Sequence, residues 1–246
     1  MRSRFFAAIA CLCLAPCALY AAPYSIIATS AGTGFFIDRN GALITNAHIV
    51  RQCQSINVLT KAGERPATLT AIDSEHDLAL LQVKDMGGSL AAPLRWNISD
   101  LKIGDPVYVI GFPGSAGVEG QYTFKNTEVA SFQGPLGEPV LIQLGGVVQK
   151  GNSGGPVLDG TGNVIAVVTG MALTYATDES GVVQPKLIRQ SDVAIPLAPL
   201  QDFLKKNAVT YYELASGNGS YSADILTRNA LQFTVPVRCV QGVIAN

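Results

Sequence analysis

Three short segments carry residue types that together can do acyl-transfer chemistry. The first is Gly151-Asn152-Ser153-Gly154-Gly155-Pro156. A serine hydroxyl flanked by glycines leaves room for a substrate. The backbone N–H groups of Gly151 and Ser153 can then face a developing oxyanion. Gly154 and Gly155 permit a tight backbone behind the hydroxyl. The second is Leu43-Ile44-Thr45-Asn46-Ala47-His48, an apolar strand ending on one of only two histidines. The third is His76-Asp77-Leu78-Ala79-Leu80-Leu81, an acid at the mouth of a buried strand. Each has a plainer reading: a Gly-Asn-Ser turn, a satisfied core histidine, a carboxylate capping a turn. The chemistry unites them. A serine is a weak nucleophile until a base takes its proton, and the base needs an acid to fix its tautomer. This expectation assigns Ser153 as nucleophile, His48 as general base and Asp77 as the residue orienting it.

Such residues need a rigid scaffold, and the sequence predicts one made of strands. Ala31 to Asp38 and Ala42 to Asn46 flank an Asn40-Gly41 turn, a hairpin signal. Ser55 to Leu59 alternates polar and apolar residues. Ala67 to Ile72 and Leu78 to Val83 follow as strands; a polar connector is expected over Lys84 to Ala92, with the split between the halves near 92–104. Strands are then expected at Pro106 to Gly111, Phe124 to Phe132, Val140 to Leu144, Pro156 to Leu158 and Val164 to Val168. Two β halves of similar size fit two small packed barrels. Helix is expected at Pro199 to about Asn207 and at Ala223 to Ala230, with a last strand over Gln232 to Val240.

Composition narrows the function classes. Hydrophobic residues at 48% and charged residues at 14% supply a packed core rather than a disordered chain. A net charge of -1 with no basic stripe argues against a nucleic-acid partner. Arg2 and Arg4, the apolar run from Phe5 to about Leu19 and the small Ala21 and Ala22 read as an export signal over residues 1–22. That run is short for a membrane span, which needs about 20 apolar residues. A retained anchor and a lipoprotein are the alternatives, but Pro16 before Cys17 disfavours the second. No stable membrane insertion is expected after signal removal. The chain is thus expected to be secreted, in a bacterial periplasm or outside the cell. Cleavage leaves Cys53 and Cys239, which in an oxidising compartment form one candidate disulfide; two buried free thiols are the other reading. Cysteine and histidine spacings offer no metal site, and no cofactor is expected.

The segments quoted above resemble the Do-like (high-temperature-requirement) branch of the trypsin-like serine proteases. So do Val109-Ile110-Gly111-Phe112-Pro113 and Asp192-Val193-Ala194-Ile195-Pro196, and the resemblance runs from about Ala31 to Leu204. It implies an all-β fold of two six-stranded antiparallel barrels, with His48 and Asp77 on the first and Ser153 on the second. The protease domain is expected over 23–207 and a C-terminal tail over 208–246. Do-like proteases usually carry PDZ domains after the protease, and residues 208–246 are too short for one. Digestive trypsin-like enzymes place an aspartate where this chain has Asn152, so zymogen activation through that ion pair is not expected. By the family's pattern Val147, Val148, Lys150, Val168, Thr169 and Gly170 surround the primary pocket. An apolar pocket lacking a carboxylate favours small or medium apolar side chains over Lys or Arg. The resemblance implies a serine endopeptidase acting on protein or peptide substrates. The alternative is a catalytically silent protease-fold binding or scaffold protein of the cell envelope.

Overall fold

A computed structural model describes residues 25–114, 121–146, 148–177, 183–215, 217 and 219–244. The expected export signal lies outside the described residues. The first strands are β1 (Ser25–Phe36), β2 (Ala42–Asn46), β3 (Ser55–Thr60), β4 (Gly63–Asp73) and β5 (Leu78–Val83), with a short helix α1 (Ala47–Val50) after β2. Then come β6 (Leu94–Arg95), β7 (Pro106–Gly111), β8 (Thr123–Ser131), β9 (Ile142–Leu144), β10 (Pro156–Leu158), β11 (Val164–Thr177) and β12 (Val183–Pro196). The chain ends with α2 (Leu197–Lys206), β13 (Glu213–Leu214), α3 (Ala223–Ala230) and β14 (Thr234–Ile244).

Two closed antiparallel barrels result, as expected. The first runs β1-β14-β3-β4-β5-β2. The second runs β10-β7-β8-β9-β12-β11 and closes through a β10–β11 pairing; β6 and β13 extend it beside β11. Alternation along the strands explains how one sequence serves both barrels and the seam between them. Phe36, Leu43, Ala79, Leu81 and Val83 point into the first barrel. Their neighbours Phe35, Ile44, Leu78 and Leu80 point out of it, into a shared core with Tyr108, Ile110, Leu158 and α2. Val107, Val109, Val157 and Ile165 fill the second barrel. Strands buried on both faces read as continuous apolar runs, which is how β5 and β7 look in the sequence.

The described residues of 208–246, expected as a tail, are not an appendage. β14 pairs with β1 and with β3 and so supplies a wall of the first barrel. Val235 and Val237 enter that barrel's core. Cys239 on β14 is joined to Cys53, which follows α1. The α3 helix is capped by the Ser222 hydroxyl, which accepts from the Ile225 N–H, and sets Leu226 and Ala230 against the core between the barrels.

Candidate active site

Asp77 reaches its position through a strained turn. Asp73 Oδ1 accepts the N–H groups of Glu75 and His76, and His76 Nδ1 lies 2.8 Å from Asp73 Oδ2. That closed turn delivers Asp77 with φ +55°, a left-handed conformation that aspartate tolerates better than most residues. Its carboxylate then faces α1. Oδ1 accepts the His48 backbone N–H at 2.9 Å, and Oδ2 accepts His48 Nδ1–H at 2.7 Å and the Thr169 hydroxyl at 2.8 Å. Burial alone would raise the Asp77 carboxyl. The hydrogen bonds and charge of His48, with the Thr169 hydroxyl, outweigh it and hold the carboxyl below its usual range. An ionised carboxylate has no proton to give, so the bonded ring proton sits on Nδ1 and Nε2 remains an acceptor.

The loop bearing Ser153 is built on glycines and one threonine. Gly151 has φ +104°, and a Cβ there would meet Phe112 O and Gly114 N at 2.7 Å. Gly154 has φ +82°, and its Cβ would meet Thr33 O at 2.2 Å. Only glycine fits either place. Thr33, fully buried on β1, stitches this loop to the first barrel. Its hydroxyl donates to Gly151 O at 2.7 Å and accepts the Phe112 N–H at 3.0 Å, while its own N–H donates to Ser153 O at 2.8 Å. Asn152 beside Ser153 is wholly buried, and neither polar atom of its side chain has a hydrogen-bond partner. The N–H groups of Gly151 and Ser153 donate to no group among the described residues.

His48 and Ser153 line one cavity of about 500 Å³, with Ala31, Ile49, Lys150 and Gly151 among its walls. No hydrogen bond joins the Ser153 hydroxyl to the imidazole in this structure. A second cleft of about 420 Å³, between the turn at Asp73 and α2, holds no serine or cysteine nucleophile.

The residues expected around a primary pocket separate into different places. Val148 and Val168 are buried in the core of the second barrel, and the Val148 N–H donates to Asp192 Oδ2 at 2.6 Å. Thr169 turns its hydroxyl to Asp77. Gly170 abuts the nucleophile, since a Cβ there would lie 3.9 Å from Ser153 Oγ. Lys150 lines the cavity. Val147 lies outside the described residues. The stitching by Thr33 and the bond from Thr169 were not foreseen, because each partner lies far away in sequence.

Known proteins agree with this architecture. Residues 32–167 match the family model of a trypsin-like peptidase domain. An uncharacterized protein of Sinorhizobium fredii, y4bJ, is 34% identical over 89% of this chain and 34% of its own length. Mouse serine protease HTRA4 is 32% identical over 58% of this chain and 30% of its own. The putative serine protease HhoA of Synechocystis is 27% identical over 69% of this chain and 46% of its own. The chain therefore spans less than half the length of these relatives. The family match covers more than half of the chain, and the double barrel accords with it: this chain belongs to the trypsin-like peptidase family.

Proposed function

We propose that the chain is a serine endopeptidase in which Ser153, His48 and Asp77 act as a triad. One observation carries the reading. Asp77 grips His48 at both its ring and its backbone, leaving Nε2 as the acceptor in a cavity that also holds Ser153. Ser153 Oγ bonds to the substrate carbonyl carbon as its proton passes to His48 Nε2. The carbonyl oxygen becomes an oxyanion held by the N–H groups of Gly151 and Ser153. The C–N bond breaks as His48 returns that proton to the leaving amine. Water, deprotonated by the same nitrogen, then hydrolyses the acyl-enzyme and restores Ser153. Asp77 stays ionised and steadies the imidazolium. The Ser153–His48 hydrogen bond, not made in this structure, forms when substrate enters, as catalytic bonds often do only in the substrate complex.

Substrates in this reading are proteins or peptides with a small or medium apolar residue on the acyl side of the scissile bond. Residues 1–22 direct export, which also suits the Cys53–Cys239 disulfide. Digestion of unfolded casein by the purified protein, absent in Ser153→Ala, tests the reading. Intact casein with both proteins would favour a silent scaffold. A strong preference for Arg or Lys on the acyl side would overturn the pocket assignment alone.

A further inference from the structure

We infer that Lys150 selects acidic residues on the leaving-group side of the scissile bond. The inference rests on reading Ser153 as the nucleophile. Two strands from different barrels approach Ser153. Gly170 on β11 abuts its hydroxyl from one side. The cavity shared with His48 opens on the other, where its walls include Thr29, Ser30 and Ala31 of β1, Ile49 and Lys150. None of the β11 residues around Ser153 belongs to that cavity. The departing amine receives its proton from His48, so the chain that follows the cleaved bond leaves along the His48 side.

The charge of this cavity has one sign. Among the described residues its lining contains no carboxylate, and Lys150 is the one lysine or arginine there. Asp77 is engaged behind the imidazole by His48 and Thr169. Lys150 is exposed and makes no ion pair among the described residues. It immediately precedes Gly151, whose N–H faces the oxyanion in the proposed mechanism. A substrate lying against Gly151 therefore passes within reach of the long, flexible Lys150 side chain. An aspartate, glutamate or terminal carboxylate there meets a free ammonium. A basic side chain meets a like charge that no acid among the described lining residues offsets. Exposed pairs of this kind change affinity by about two- to fivefold and weaken with salt.

The test separates this subsite from the chemistry. Peptides with Asp or with Lys at the three positions after the scissile bond are bound to the Ser153→Ala protein at low salt and in 0.5 M NaCl, read by fluorescence anisotropy. The acidic peptides should bind about two- to fivefold more tightly. K150A in that background should abolish the preference, K150E should invert it, and high salt should erase it. Equal binding, or a preference that K150E leaves unchanged, would overturn the inference. A fluorophosphonate probe on the wild-type protein reads Ser153 independently. No label with a preference that follows residue 150 would sink the peptidase reading, and with it the leaving-group assignment, and would leave Lys150 only as an acidic-peptide contact; label with no such preference would keep the peptidase and overturn the inference alone.

Discussion

Replacing Thr33 by valine tests whether one buried hydroxyl couples the two barrels at the nucleophile loop. Valine keeps the shape and removes only the hydroxyl. The structure says what is lost: the donor to Gly151 O at 2.7 Å and the acceptor for the Phe112 N–H at 3.0 Å. Thr33 is fully buried, so water does not readily replace either bond. Leaving a buried polar group unpaired costs roughly 1–3 kcal/mol, so two such groups cost roughly 2–6 kcal/mol. For a chain of this size about 2–4 °C of Tm follows each kcal/mol, giving a fall on the order of 10 °C. Catalysis should suffer separately. Gly151 O is the anchor of the peptide that precedes Asn152, and slack there misplaces the Gly151 N–H. Losing one oxyanion donor entirely costs about 10²–10³ in kcat, so a loosened donor should cost on the order of tenfold. The assay pairs calorimetry with the rate of acylation by a fluorophosphonate. Thr33→Ser keeps the hydroxyl and should recover most of both effects. A Thr33→Val protein with wild-type Tm and acylation rate would refute the reasoning, and so would a serine variant as damaged as the valine one.

Three further outcomes follow from the same geometry. Cys239→Ser should lower Tm under oxidising conditions, because the disulfide spans a sequence separation of 186 and the chain-entropy model allows about 5 kcal/mol at most; equal melting of oxidised and reduced wild type would contradict this. Asp77→Asn should cut kcat roughly 10⁴-fold with the fold intact, as measured by peptide hydrolysis beside circular dichroism. The same substitution bears on pH. The Asp77 carboxyl lies lower in the folded chain than unfolded, so its contribution is present above the ordinary carboxylate range and is lost as pH falls through the folded value. The asparagine variant should therefore lose less stability than wild type on acidification below about pH 4, and parallel denaturation curves would count against it.

The comparison of sequence with structure separates local from distant information. The Gly151 to Pro156 segment announces its tight turn, because glycine is needed where a Cβ would strike Phe112 O or Thr33 O. Apolar runs at Leu78 to Val83 and Pro106 to Gly111 announce strands. They do not say that alternate residues serve a barrel and the seam beside it, since both faces are buried. The same ambiguity hid Val148 and Val168, whose apolar character suits a pocket wall as well as a barrel core. The strand near 232–240 was legible from its alternation, whereas its place between β1 and β3 depends on partners across most of the chain. The α1 helix was missed because four residues are too few to show a 3.6-residue period. The family's pattern puts Thr169 at the primary pocket, but its bond to Asp77 spans the two barrels and has no local signature.

The central claim is that Ser153 is a nucleophile activated by His48. Fluorophosphonate labelling of the purified protein, with the modified peptide located by mass spectrometry, tests it most directly. Label on Ser153 in wild type, none in Ser153→Ala and a rate reduced by several orders of magnitude in His48→Ala is the expected result. An unlabelled wild-type protein, or label that survives Ser153→Ala, would contradict it.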